Sequence, residues 1–238
     1  MQPDPSFLLE KAGISLPPVG LYDAPDSSAF IPLASPAAHK WSCLFMFYQR
    51  WLNGETLYLK NDNFGCGGVA SYLLGKKQSS RKETVDFLFA GEGLKASEEL
   101  TGRWVDQTRG YSPQHDQILI GPLRPEQYPY LKTVSFFLNP DQLSLFVTGA
   151  YYRQGPPYPA LVTVPFASGC GLLAPLFEDL NEPRAIIGAT DIAMRQHLPP
   201  DILLFTVTKP MFEQLCALDE SSFLQKHFWE EVKQARKQ

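Results

Sequence analysis

Short apolar runs, cut by proline and glycine, dominate the chain, and few keep a helical period for long. Seven of these runs read as strands: Val19 to Tyr22, Glu55 to Lys60, Gln117 to Gly121, Thr133 to Leu138, Tyr158 to Val164, Ala185 to Ala189 and Asp201 to Thr208. Helical spacing appears elsewhere. Phe7 to Gly13 forms a short helix stopped by Gly13, with Pro17-Pro18 beyond it. Leu44, Tyr48, Trp51 and Leu52 fall at i, i+4, i+7 and i+8, one face of a helix that Ser42 caps and Asn53-Gly54 stops. That helix puts Cys43 in its first turn; a buried strand from Cys43 to Tyr48 is the competing reading. Thr84 to Lys95 and Ser97 to Thr108 are helical, the second with Ser97 as cap and Glu98-Glu99 near the positive end. Cys170 to Phe177 reads as a short helix, and Glu220 to Arg236 as an amphipathic one with basic residues in its last turn. Asp23 to Lys40 and Gln78 to Lys82 are loops.

One local design occurs twice. After the strand ending at Leu138, Asn139-Pro140-Asp141-Gln142 opens a helix to about Arg153. After the strand ending at Thr208, Lys209-Pro210 opens another to about Leu218. Strands alternating with helices predict the α/β class: a single domain with a mixed β-sheet flanked by helices. No tandem repeat and no linker divides the chain.

Composition narrows the class. The 238 residues are 44% hydrophobic and 19% charged, an ordinary globular balance. A net charge of −4 without a basic stripe argues against nucleic acid as partner. No run reaches the roughly 18 apolar residues of a membrane helix, and Met1 to Pro5 lacks the charged and apolar regions of a signal peptide. The expected location is the cytoplasm. Four cysteines are too few for a disulfide framework, so they serve packing or chemistry.

Two of them sit among glycines: Gly65-Cys66-Gly67-Gly68 and Gly169-Cys170-Gly171. Such turns deliver a thiol to a helix N-terminus, where free N–H groups favour a thiolate or a bound anion. With Cys43, these cysteines are candidate ligands of zinc or an iron–sulfur cluster. The usual Cys-x-x-Cys pair is absent, and a fourth ligand would come from His115, His197 or Asp191. A cysteine nucleophile served by His197 and Asp191 lacks any surrounding protease or amidase signature. Cys216 shares an apolar helix face with Phe212 and Leu215 and reads as core. Asp191 and Arg195, four apart, read either as a surface ion pair or as an anion site built on the Arg195 fork. The G-x-G-x-x-G spacing is not met, which argues against NAD or FAD.

The order of these pieces resembles the domain of unknown function 169 family. The resemblance rests on Cys43, on Thr56 to Leu59 leading to Cys66-Gly67-Gly68 and Leu74-Gly75, and on Asn139-Pro140-Asp141-Gln142. It continues through Gly169-Cys170, Gly188-Ala189-Thr190-Asp191, Met194-Arg195 and Leu198-Pro199, and spans Val19 to Leu218. Members often carry proline directly after the second cysteine, where this chain has Gly67. The resemblance implies positions rather than a mechanism. Two functions follow as expectations. In the first, Cys43, Cys66 and Cys170 bind a metal or iron–sulfur centre, with redox chemistry in scope. In the second, Gly65, Gly67, Gly68, Gly169 and Gly171, with Asp191 and Arg195, cradle a small anionic metabolite while the cysteines line the pocket.

Overall fold

The computed structural model describes residues 3–25, 43–60, 73–75, 79–108, 110–157, 159–164 and 179–237, with the backbone of Leu33–Ala34. Helix α1 (Ser6–Ala12) ends where Gly13 turns left-handed at φ 65°. Strand β1 (Val19–Tyr22) follows, then β2 (Leu33–Ala34). A 3₁₀ turn at Leu44–Phe47 runs into α2 (Tyr48–Leu52), and β3 (Thr56–Leu59) comes next. An excursion of α3 (Arg81–Asp86) and α4 (Glu98–Gln107) precedes β4 (Ile118–Pro122) and β5 (Leu131–Leu138). Then come α5 (Pro140–Tyr151), β6 (Val162–Thr163), β7 (Ala185–Gly188), β8 (Leu203–Thr208), α6 (Lys209–Cys216) and α7 (His227–Ala235).

The strands form one eight-stranded sheet in the order β2-β3-β4-β1-β5-β8-β7-β6. Among the described strands only the β2–β3 and β6–β7 pairs, at the edges, are parallel. This is the mixed, helix-flanked α/β sheet that the alternation of elements predicts. The two strand–proline–helix units meet at its centre, where β5 and β8 pair antiparallel from Thr133↔Thr208 to Leu138↔Leu203.

Period-two alternation divides the core between the two faces. Val134, Phe136, Leu138, Phe205 and Val207 point to one face and pack with α1, α5 and α6. Phe136 lies 4.7 Å from Phe146 and 6.3 Å from Phe212, ring centre to ring centre. Leu21, Leu57, Leu59, Ile118, Ile120, Phe137 and Leu204 point to the other face. There they meet Leu44, Tyr48 and Trp51, the dipeptide Leu73-Leu74, and Ala189, Met194, Leu198 and Ile202 of the β7–β8 connection. Polar residues interrupt this second face: Ser135 and Thr206, both buried, share a 2.8 Å hydrogen bond, and the buried Thr133 and Thr208 face each other beside them.

Several local expectations are corrected. Cys43 does not sit inside a helical turn; it is the extended residue (ψ 140°) before a 3₁₀ turn, and the α-helix begins five residues later at Tyr48. Three bulky residues in succession, Phe45-Met46-Phe47, are carried by the tighter turn, and Phe45 and Phe47 are still buried. The helix expected from Thr84 begins at Arg81, because Ser80 accepts from Glu83 N while the Glu83 carboxylate accepts from Ser80 N. Beyond Asp86 it widens into a π turn, Phe87–Gly91. The C-terminal helix is delayed to His227 by the 3₁₀ turn Phe223–Gln225. Trp229 docks it, its indole N–H donating to Lys11 O at 2.7 Å.

Candidate functional site

Pairing registers place the ends of β1, β3 and β8 and the start of β7 at one end of the sheet: Leu59 faces Ile118, Tyr22 faces Leu119 and Leu131, and Thr208 faces Thr133. At this end Asp23 follows β1 with its side chain fully buried. Its carboxylate accepts hydrogen bonds from the Tyr111 hydroxyl, from Gln114 N (2.8 Å) and from His115 N (3.1 Å), and it pairs with His115 Nδ1 at 2.9 Å. Burial opposes charge on Asp23, but these donors together outweigh it and hold the carboxyl below the ordinary carboxylate range. Burial and the neighbouring Asp23 push the Tyr111 phenol up, so Tyr111 keeps its proton and donates it. Asp23 thereby ties the loop of residues 111–115 to the end of β1.

That loop forms one wall of a cleft of about 520 Å³, within the size range of small-molecule sites. Tyr111, Ser112 and Gln114 line it on one side; Lys132, Asn181, Lys209 and Glu213 line it on others. Lys209 and Glu213 stand four apart on α6, a spacing that favours an ion pair, yet they do not pair. The Lys209 ammonium lies 4.1 Å from the centre of the Tyr128 ring and donates to Tyr128 O at 3.4 Å. Glu213 instead accepts from the Tyr128 hydroxyl. Burial and the Glu213 charge raise the Tyr128 phenol, which stays protonated. Among the described residues no ion pair neutralises Lys132, Lys209 or Glu213.

The first turn of α6 also borders the cleft through Lys209 and Pro210. Thr208 holds the cap position, but its hydroxyl donates to Glu182 O (2.7 Å) and accepts from Arg184 N (3.0 Å). It makes no capping bond to α6, so the helix presents the positive end of its dipole without a side-chain cap.

The sequence candidates separate around this frame. Cys66, Cys170, Gly65, Gly67, Gly68, Gly169 and Gly171 lie outside the described residues. Their flanks are described. The Cys66 segment leaves from Lys60, at the end of β3, and rejoins at Leu73–Gly75. Gly75 there has φ +64°, and a Cβ on it would lie 3.1 Å from Tyr111 O and 3.4 Å from Ser112. The Cys170 segment rejoins at Asp179, next to Leu180 and Asn181 of the cleft. Cys43 is half-buried and packs with the core cluster that contains Leu73 and Leu74. Cys216 is half-buried, and burial, with smaller contributions from Asp4 and Glu213, pushes its thiol up to about 12.

Asp191 and Arg195 sit at the other end of the sheet, in the β7–β8 connection, and β8 alone separates the two ends by about 17 Å at 3.4 Å per residue. The Asp191 carboxylate accepts from Ala193 N at 2.9 Å. Arg195 donates to four carbonyls: Ile202 O (2.6 Å), Pro199 O and Pro200 O (3.0 Å each) and Ala189 O (3.4 Å). Its fork staples a loop in which Ala189 adopts a left-handed φ of 63°. His115 is occupied with Asp23, and His197 Nε2 is buried with no hydrogen-bond partner among the described residues. Among the described residues no group of three or more His, Cys, Asp or Glu side chains is placed to hold a metal ion.

A family model described as "Uncharacterised ArCR" matches residues 8–217. The chain belongs to the domain of unknown function 169 family. The matched span holds the whole sheet and every residue lining the cleft, whereas α7 lies beyond it. No curated protein and no solved structure matches the chain. Among the described residues no helix is long and apolar enough to cross a membrane. Sequence reasoning missed Asp23, Tyr111, Lys132 and Glu213 as site residues. Only Lys209-Pro210 left a trace, as a helix start.

Proposed function

We propose that this member of the domain of unknown function 169 family binds a small anionic metabolite in the cleft at the sheet end. One observation carries the reading: Lys132 and Lys209, neither of them ion-paired among the described residues, border the same cleft as the uncapped first turn of α6. Anions are favoured by lysines and by a helix N-terminus alike. Asp23 supports the site by fixing the wall that carries Tyr111 and Gln114. Arg195 has no part in the cleft; its donors hold the opposite loop. The test is a thermal-unfolding screen of carboxylates and phosphate esters. A ligand at a hundred times its Kd adds about 2.7 kcal/mol, which for a chain of this length raises Tm by about 5–10 °C. Lys132→Gln should remove most of that rise. A flat screen, or an undiminished rise in Lys132→Gln, refutes the reading.

A second reading keeps the thiols as metal ligands. What supports it is that described flanks of both the Cys66 and Cys170 segments, at Gly75 and Asp179, lie beside residues of the cleft wall. Three thiolates from Cys43, Cys66 and Cys170 suit zinc or an iron–sulfur cluster. Metal analysis of anaerobically purified protein decides it. Stoichiometric iron or zinc that is lost in a folded Cys66→Ser variant supports the reading, and metal-free protein refutes it.

A further inference from the structure

The cleft holds an exposed carboxylate as well as its two lysines, and on α6 Lys209 and Glu213 are kept apart. The Tyr128 side chain separates them: its ring takes Lys209 and its hydroxyl takes Glu213, although α6 sets the two at ion-pairing distance in sequence. One Glu213 oxygen accepts from Tyr128, which leaves the carboxylate with capacity for further donors. A ligand that is only an anion meets attraction from Lys132 and Lys209 and repulsion from Glu213. A ligand that also carries a cation turns that repulsion into a second anchor.

We propose that the ligand is a zwitterion of amino-acid type, its anionic group held by Lys132 and Lys209 and its ammonium group by Glu213. This rests on the anion-binding reading above and narrows it. The carbonyl side of Asn181 and Gln114, also in the lining, supplies further acceptors suited to an ammonium group. The two charges of the ligand therefore choose its orientation as well as its class.

The experiment compares matched pairs that differ in one ammonium group: acetate with glycine, succinate with aspartate, and glutarate with glutamate. Each is titrated calorimetrically into the full-length protein. At least one amino acid should bind about tenfold more tightly than its partner acid. Glu213→Gln, which keeps an acceptor for Tyr128, should erase that preference without weakening the plain acid. Lys132→Gln should weaken both members of the pair. If the plain acids bind as tightly as the amino acids, the zwitterion proposal is overturned while the anion reading stands. A preference that survives in a folded Glu213→Gln protein also overturns it. If no member of any pair binds, this proposal falls, and the anion reading is then decided by the wider screen of carboxylates and phosphate esters.

Discussion

Replacing Arg195 with alanine removes the donors that four carbonyls share. Pro200 is exposed, and water can replace the guanidinium at its carbonyl. Ala189 is fully buried and Ile202 nearly so, so their carbonyls lose a partner where water does not readily follow. An unsatisfied buried acceptor costs about 1–3 kcal/mol. With two such groups and some relaxation of the loop, the loss should be about 2–4 kcal/mol. That corresponds to roughly 5–15 °C in Tm for a chain of this length. Arg195→Lys should recover less than half, since one ammonium cannot span four acceptors that a planar fork reaches. Urea denaturation of the three proteins, with the slope of each transition compared, measures this directly. An alanine variant within about 0.5 kcal/mol of the parent, or a lysine variant equal to it, would show that the fork does not hold the loop.

Asp23→Asn should cost about 2–3 kcal/mol, because the amide turns a donor toward the Tyr111, Gln114 and His115 donors. The Asp23 carboxyl is lowered in the fold, so its stabilisation is complete above the ordinary carboxylate value of about 3.9 and is lost as pH falls through the lower folded value. Urea midpoints from pH 5 to pH 2.5 should fall less steeply in Asp23→Asn than in the parent; equal slopes would contradict the assignment. Gly20→Ala should destabilise by about 1–3 kcal/mol, since the new methyl would lie 2.6 Å from the Tyr22 ring and hydroxyl. Calorimetric unfolding checks this, and an unchanged Tm would mean the ring can move aside. With its thiol pushed up to about 12, Cys216 should resist alkylation by iodoacetamide at pH 8, as peptide mass mapping would record; rapid labelling would show that the burial is not maintained.

Local chemistry made much of the fold legible. The strand Val19 to Tyr22 has the observed bounds, because Pro17-Pro18 and the polar Asp23 close it on both sides. Asn139 followed by Pro140 marks the start of α5, and the structure adds a reciprocal cap between Asn139 and Gln142. Ser80 and Glu83 form the same kind of cap, but the polar run from Gln78 to Lys82 around them reads as a loop. The cleft was illegible for a different reason. Asp23 meets Tyr111, Gln114 and His115 across some ninety positions of sequence, and Tyr128 meets Glu213 across 85. No periodicity encodes such meetings; the sheet order does. Arg195 shows the converse. Its spacing from Asp191 is a genuine helical pairing distance, but the Pro199-Pro200 turn supplies carbonyls that compete for the same fork.

The hydroxyl pair between Ser135 and Thr206 has an effect that its modest bond energy conceals. Both strands are otherwise rich in large apolar side chains, so sliding β8 along β5 by two residues would still bury hydrocarbon against hydrocarbon. One such slide sets Ser135 opposite the hydrocarbon of Leu204, and the other sets Thr206 opposite Phe137, so each leaves a buried hydroxyl facing an apolar side chain. Two oxygen atoms in the middle of the sheet thus work as an alignment mark. They add little to the correct pairing and make each of its near neighbours costlier.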